Sequence, residues 1–234
     1  MFIVLTFPRT GSELLITSLA THPQLKVKSE LLNPHRNNEW NLPYFSEIDV
    51  NKPVSVIRYE QTEELATKVR DALQSIDGFK ATYDQITRDS PVVEALCKLR
   101  ELKIVFMERN PVESAISFWY AIRSQKWQRH KGEPPLNDVP EEVDEKFVLD
   151  FCNRFQSDHV FYKKKFAEHQ HFHVHYNQLV SQWDKTTGEL QHFLGVPVVS
   201  LPTLLEKRLT TPIDQLVKNY SEKWANYGQG RVWL

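Results

Sequence analysis

The chain opens on a largely apolar run, Phe2-Ile3-Val4-Leu5-Thr6-Phe7, that passes through Pro8-Arg9-Thr10-Gly11-Ser12 directly into Leu14-Leu15. A buried strand, a tight turn and a helix start packed into so few residues collect backbone N–H groups at a helix N-terminus, where an anion is held. A second run, Lys103-Ile104-Val105-Phe106-Met107, ends in Arg109-Asn110-Pro111, with Ser117 eight residues beyond the arginine. Two such turns, about a hundred residues apart and each at the end of an expected strand, point to a ligand with two separate phosphates.

Between and after these turns, strands and helices alternate. The patterning predicts strands over 2–7, 25–28, 79–83, 103–107 and 171–176, and helices over 12–21, 63–76, 92–102, 143–168 and 178–194. Another helix carries Ser117, Phe118 and Trp119, and Gly195 closes the helix over 178–194. The stretch 33–60 is expected to be loop-rich, and 125–142, with Gly132, Pro134, Pro135 and Pro140, an exposed loop suited to cover a cleft. Strands alternating with helices predict a three-layer, P-loop-like α/β fold with a mostly parallel central sheet flanked by helices. No internal repeat or linker breaks the chain, so its 234 residues are expected to form a single domain over 1–234.

Composition excludes several classes. A net charge of −1 gives no global field to attract nucleic acid or a membrane surface, so anion binding must be local. No run of eighteen apolar residues is present, and the first run is too short for a signal segment, so no transmembrane segment and a cytoplasmic location are expected. Cys97 and Cys152 lie in apolar helical contexts without a paired spacing, which reads as two buried thiols in a reducing compartment. The composition leaves a homodimer open.

The two turns resemble the 5′-phosphosulfate loop and the 3′-phosphate motif of the sulfotransferases, and overall the chain is most similar to bacterial carbohydrate-type (trehalose and lipopolysaccharide) enzymes. The family's first motif reads roughly Pro-(Lys/Arg)-(Ser/Thr)-Gly-(Thr/Ser)-(Thr/Ser); Pro8 to Ser12 match it and Glu13 departs. The second, Arg-Asn-Pro-x5-Ser, is matched by Arg109, Asn110, Pro111 and Ser117. The resemblance implies a co-substrate, 3′-phosphoadenosine 5′-phosphosulfate (PAPS), with 3′-phosphoadenosine 5′-phosphate (PAP) as product, no metal, and a small-molecule or glycan hydroxyl acceptor.

It also implies roles. Pro8, Arg9, Thr10, Gly11, Ser12 and Glu13 form the loop around the 5′ group, with Arg9 stabilising charge on the bridging oxygen. An arginine does not give up its proton, so that role is electrostatic. Arg109 and Ser117 read the 3′-phosphate. Tyr176-Asn177-Gln178-Leu179 is similar to the family's late Tyr-Glu-x-Leu element near the nucleotide, with Asn177 in the acidic place. A hydroxyl acceptor calls for a general base. Glu30, about twenty residues beyond Arg9 after His22-Pro23-Gln24-Leu25-Lys26-Val27, stands where several carbohydrate and tyrosyl-protein enzymes place theirs. Glu39, Glu47, Asp84 and His22 are reserve candidates. Lys80, Tyr83 and Lys218-Asn219-Tyr220 are further candidates to border the site, and Trp119 and Trp127 border the acceptor or belong to the core.

His169, His171, His173 and His175 share one face if extended, an arrangement expected to be a solvent-facing or helix-covered row rather than a metal site. The rival functional readings are a P-loop phosphotransferase, which lacks the GxxxxGK[ST] loop here, and a domain that binds PAP without transfer.

Overall fold

In the computed structural model, which describes residues 1–52 and 54–224, five parallel strands form the central sheet. They are β1 (Phe2–Thr6), β2 (Val27–Glu30), β5 (Gly78–Thr82), β6 (Lys103–Glu108) and β7 (His171–His175), in the order β2-β5-β1-β6-β7. All pairings are parallel, and β1 registers Phe2 against Gly78 on one side and against Lys103 on the other. From central β1 the chain runs out to one edge, returns to β5, then crosses β1 to build β6 and β7. That crossing opens a crevice at the carboxyl ends of the strands, where ligands bind in open α/β sheets.

Alternation along the strands decides what each face meets. Ile3, Leu5, Phe79, Ile104 and Phe106 face a core shared with α2 (Glu63–Ala72), α3 (Pro91–Lys98), α4 (Pro111–Ser124) and α5 (Glu145–Lys165). Phe2, Val4, Val105, Met107 and Val174 face the opposite core with α1 (Ser12–Leu19), α6 (Tyr176–Ser181) and α7 (Trp183–Leu194). The result is the expected three layers. Helix starts are signalled locally. The side chains of Thr62, Ser90, Asn110 and Asp144 cap α2, α3, α4 and α5, and Pro91 and Pro111 take the first helical position, where a missing N–H costs nothing.

Several boundaries differ from expectation. The loop-rich stretch 33–60 contains an antiparallel hairpin, β3 (Tyr44–Glu47) with β4 (Val56–Tyr59), whose own pattern is obscured because Tyr44 and Phe45 are solvent-exposed. The strand expected at 25–28 lies at Val27–Glu30, which puts Glu30 on the strand end itself. The helix over 178–194 is two helices, α6 beginning at Tyr176 and α7 at Trp183, broken at Gln182; Gly195 closes α7 in a left-handed conformation. Two short helices follow, α8 (Ile213–Leu216) and α9 (Tyr220–Lys223). Cys97 and Cys152 are free; Cys152 is buried, whereas Cys97 is only half-buried. No helix among the described residues is long and apolar enough to cross a membrane.

Candidate active site

The loop between β1 and α1 is shaped by two left-handed residues, Arg9 at φ 69° and Gly11 at φ 85°. For glycine that conformation is free; for arginine it is strained by about 1–2 kcal/mol and calls for a compensating contact. Arg9 finds it: Nε donates to Ser117 Oγ at 3.2 Å, Nη1 donates to the Trp127 carbonyl, and its own carbonyl accepts from Arg109 Nη1 at 3.0 Å. The two expected motifs are therefore in direct contact. Gly11 has a second reason to lack a side chain, since a Cβ there would stand 2.6 Å from the Tyr176 ring. The same ring lies under the Arg109 guanidinium at 4.2 Å.

Around this loop opens a cleft of about 300 Å³. Pro8, Arg9, Gly11, Ser12, Glu13, Arg109, Ser117 and Tyr176 line it, as does Glu30. Thr10 is fully buried, and its hydroxyl bonds inward to Thr6 and to the Phe7 carbonyl at 3.1 Å, leaving only its backbone for a ligand. Burial first, and then the like charges of Arg208 and Arg109, lower the Arg9 guanidinium to about 9, still protonated at neutral pH. Arg109 is paired with Glu113 at 3.1 Å and Arg208 with Asp138 at 2.9 Å. Arg9 has no carboxylate within ion-pair distance among the described residues.

The other half of the cleft is held by ion pairs. Lys80, buried on β5, donates to Glu13 at 2.5 Å and to Glu30 at 2.7 Å, and Arg36 donates to Glu13 at 2.7 Å. Glu30 also accepts from Asn33 at 2.6 Å and Gln85 at 2.9 Å, while Ser29 donates to Glu13 at 2.9 Å. Burial alone would raise the Glu30 carboxyl, but Lys80 and Arg36 outweigh it and hold it at about 2. Glu13 is shifted the same way for the same reasons. The residue that departs from the motif is thus turned from the loop toward cations. Arg36 and Arg208 are not signalled in the sequence, because their roles depend on loops folding back over the sheet.

Several reserve candidates lie elsewhere. Glu39 pairs with Lys28 at 2.9 Å on the outer surface, Glu47 pairs with Lys52 on the hairpin, and His22 contacts the Pro197 carbonyl at 2.9 Å. Tyr83 is turned away to His159, with its hydroxyl 3.0 Å from Nδ1. Lys218 and Asn219 bond to Glu141 and Val143 and do not line the cleft. Trp119 belongs to the core, packed edge-on against Phe147 and donating to Glu141 at 2.9 Å, whereas Phe118 and Trp127 line the cleft. Asp84, Lys80 and Gln85 line it too. The histidine row lies along β7 beside α5, where His173 and His175 approach Glu108 at 2.7 and 3.2 Å and His159 at 3.2 Å. Burial alone would raise the Glu108 carboxyl, but His159 and His173 hold it well below the usual range. No group of three or more His, Cys, Asp or Glu residues among those described is disposed to hold a metal.

A family model, the sulfotransferase family, matches residues 2–200. The chain belongs to the sulfotransferase family. Curated relatives include Nodulation protein H of Rhizobium tropici, 23% identical over 98% of this chain and 90% of that protein, and Nodulation protein H of Rhizobium meliloti strain 1021, 22% identical over 98% and 92%. Among solved structures, a sulfotransferase from Alicyclobacillus acidocaldarius aligns with TM-score 0.48 at 13% identity, covering 92% of this chain and 87% of that one. A mouse sulfotransferase complexed with PAP aligns with TM-score 0.48 at 13% identity, covering 85% and 59%. The family assignment makes the chain a sulfotransferase and not an enzyme of ATP-driven phosphorylation.

Proposed function

We propose that this sulfotransferase moves the sulfuryl group of PAPS to a hydroxyl of a carbohydrate. The observation that carries the reading is Arg9. It is a half-buried guanidinium without a carboxylate partner, repelled by Arg109 and Arg208, strained in its backbone and held at the mouth of a glycine turn. Such a group is costly unless an anion joins it. The residues fit the nucleotide: the Gly11 turn and Ser12 suit the 5′ side, and Arg109 with Ser117, one contact away through Arg9, suits a second phosphate. PAPS supplies an activated sulfuryl group on its 5′-phosphate.

The chain's own residues then have defined tasks. Arg9 stabilises charge that grows on the bridging oxygen as the bond to sulfur breaks, an interaction stronger in the transition state than before it. Glu30 takes the acceptor hydroxyl's proton. In the free protein Lys80 and Arg36 make Glu30 too weak a base for that task. Lys80, drawn toward the incoming anion, releases Glu30, whose basicity then rises. Glu13 keeps Lys80 within reach of both. The carbohydrate assignment rests on the overall resemblance and on the density of hydrogen-bonding side chains (Glu30, Asn33, Ser55, Lys80, Gln85) around this half of the cleft.

Thermal unfolding with PAP, ADP and ATP, the last two with and without Mg²⁺, tests the nucleotide. PAP at a hundred times its dissociation constant adds roughly 2.7 kcal/mol, and PAP is expected to stabilise well beyond ADP. Glu30→Gln is expected to keep that PAP response and lose sulfuryl transfer from labelled PAPS. Indifference to PAP alongside a response to Mg-ATP would overturn the reading, and normal transfer by Glu30→Gln would remove the base assignment.

A further inference from the structure

Asp84 follows the end of β5, two residues beyond Thr82, and its carboxyl is enclosed where the cleft meets the hairpin. It is only 7% exposed, yet Oδ1 meets no hydrogen-bond donor at ordinary geometry. The Thr82 hydroxyl and the Asp84 N–H partly compensate the carboxylate, but Oδ1 stays without a partner. Arg58 of β4 donates to the Asp84 carbonyl at 3.4 Å, not to its carboxyl, and Gln85 is committed to Glu30 and to the Thr82 N–H. Glu30 on β2 repels it, while Arg154 on α5 offers only weak attraction from a distance. The adjoining Glu30 is the opposite case, its two oxygens occupied by Lys80, Asn33 and Gln85. A buried acceptor atom left without a donor is costly and is retained where a ligand supplies the donor.

We propose that Asp84 determines acceptor specificity: its carboxylate accepts a hydroxyl of the acceptor other than the one that is sulfated, so the acceptor is a polyol and not a monohydroxy phenol or alcohol. This inference rests on the sulfuryl-transfer reading above. Two carboxylates from adjacent strand ends, one for the reacting hydroxyl and one for a neighbour, grip a sugar ring in one orientation. A site built to hydrogen-bond a substrate hydroxyl rejects analogues that lack it, because its own polar groups then remain unpaired. Burial, with Glu30 adding to it, raises the Asp84 carboxyl to about 6, so it is ionised and a full acceptor at neutral pH.

The test compares the wild type with Asp84→Asn and Asp84→Ser, using labelled PAPS and two acceptor sets. Glucose, trehalose, N-acetylglucosamine and chitotetraose form the polyol set; 4-nitrophenol and a primary alkanol form the other. Transfer is expected only to polyols. In Asp84→Asn the KM for the best polyol should rise roughly ten- to hundred-fold, with kcat changed far less. The wild-type rise in KM as pH falls through about 6 should disappear in that variant. Because a buried, under-compensated charge is removed, the melting midpoint at neutral pH should hold or rise, where a purely structural carboxylate would lower it. PAP stabilisation should match the wild type. An unchanged polyol KM, an equal loss of kcat at constant KM, or no transfer to polyols by a PAP-binding wild type would each overturn the proposal. A wild type that PAP does not stabilise would instead overturn the nucleotide reading beneath it.

Discussion

Lys80 is the cation on which the Glu13–Glu30 half of the cleft depends, and its removal has a calculable cost. Its side chain is 4% exposed and its ammonium is shared by Glu13 and Glu30, whose side chains are 16% and 15% exposed. Replacing it with methionine keeps most of the volume and leaves two neighbouring carboxylates with Arg36 alone, 2.7 Å from Glu13 and 3.8 Å from Glu30. Glu30 stands at about 2 against an ordinary 4.5, which at about 1.4 kcal/mol per unit is worth on the order of 3 kcal/mol. That figure falls within the cost of breaking a buried pair by removing one partner, about 3–5 kcal/mol. For a chain of this size it corresponds to a midpoint lower by roughly 6–12 °C.

The pH dependence identifies the cause. A carboxylate depressed in the folded state contributes stability that is present above its unfolded value and lost as pH falls through its folded value. The gap between wild type and Lys80→Met should therefore be full at neutral pH and narrow below about 4.5, as the carboxyls accept protons. Unfolding followed by circular dichroism from pH 7.5 down to 3 reads this directly. In a Glu13→Gln/Glu30→Gln background the same substitution should cost little, since neither charge remains to be stranded. A midpoint within about 2 °C of wild type, or a deficit independent of pH and of the two glutamates, would refute the electrostatic account.

Gly11→Ala adds a methyl to a left-handed position facing the Tyr176 ring at 2.6 Å; a loss of about 1–3 kcal/mol in chemical unfolding is expected, with a reduced PAP response. Arg109→Ala should weaken PAP roughly 10- to 100-fold by calorimetry, the loss of charge-assisted bonds to a phosphate, while leaving the affinity for 5′-AMP, which has no 3′-phosphate, nearly unchanged.

What was legible in the sequence follows the range of the physics involved. Strand, turn and helix start at residues 2–15 are adjacent in the chain, so their joint geometry is local, and Asn110 and Pro111 announce α4 by capping chemistry alone. The contact that joins the two motifs, Arg9 to Ser117, needs β1 and β6 to be neighbours, which the alternation of elements implies without fixing. The hairpin over 44–59 was hidden because its outer residues are apolar and solvent-exposed, which blurs a two-residue period. Trp119 and Trp127 were indistinguishable as letters; the inward face of α4 buries Trp119, while Trp127, in the loop after the helix, lines the cleft. Asp84 had no signal beyond its place after a strand, since the unsatisfied Oδ1 is a property of everything packed around it.

Glu13 shows how a departure from a motif acquires a use. On the loop, a carboxylate in place of a hydroxyl would oppose the anion that the proposed function sets beside Arg9. Turned toward Lys80, Arg36 and Ser29, it instead completes a nearly neutral cluster with Glu30. The cleft is thereby divided electrically. On one side is an unpaired guanidinium flanked by Arg109 and Arg208, favourable only to an anion. On the other, two carboxylates share two cations, a balance that any new negative charge disturbs. A neutral hydroxyl ligand enters the second side without adding to its charge. Under the proposed function, the same balance holds Glu30 as a weak base until Lys80 shifts away from it. A serine at position 13 would leave Lys80 to Glu30 alone, holding that carboxylate more tightly. The departure at Glu13 and the ion pairing of Glu30 are therefore one feature of this site, not two.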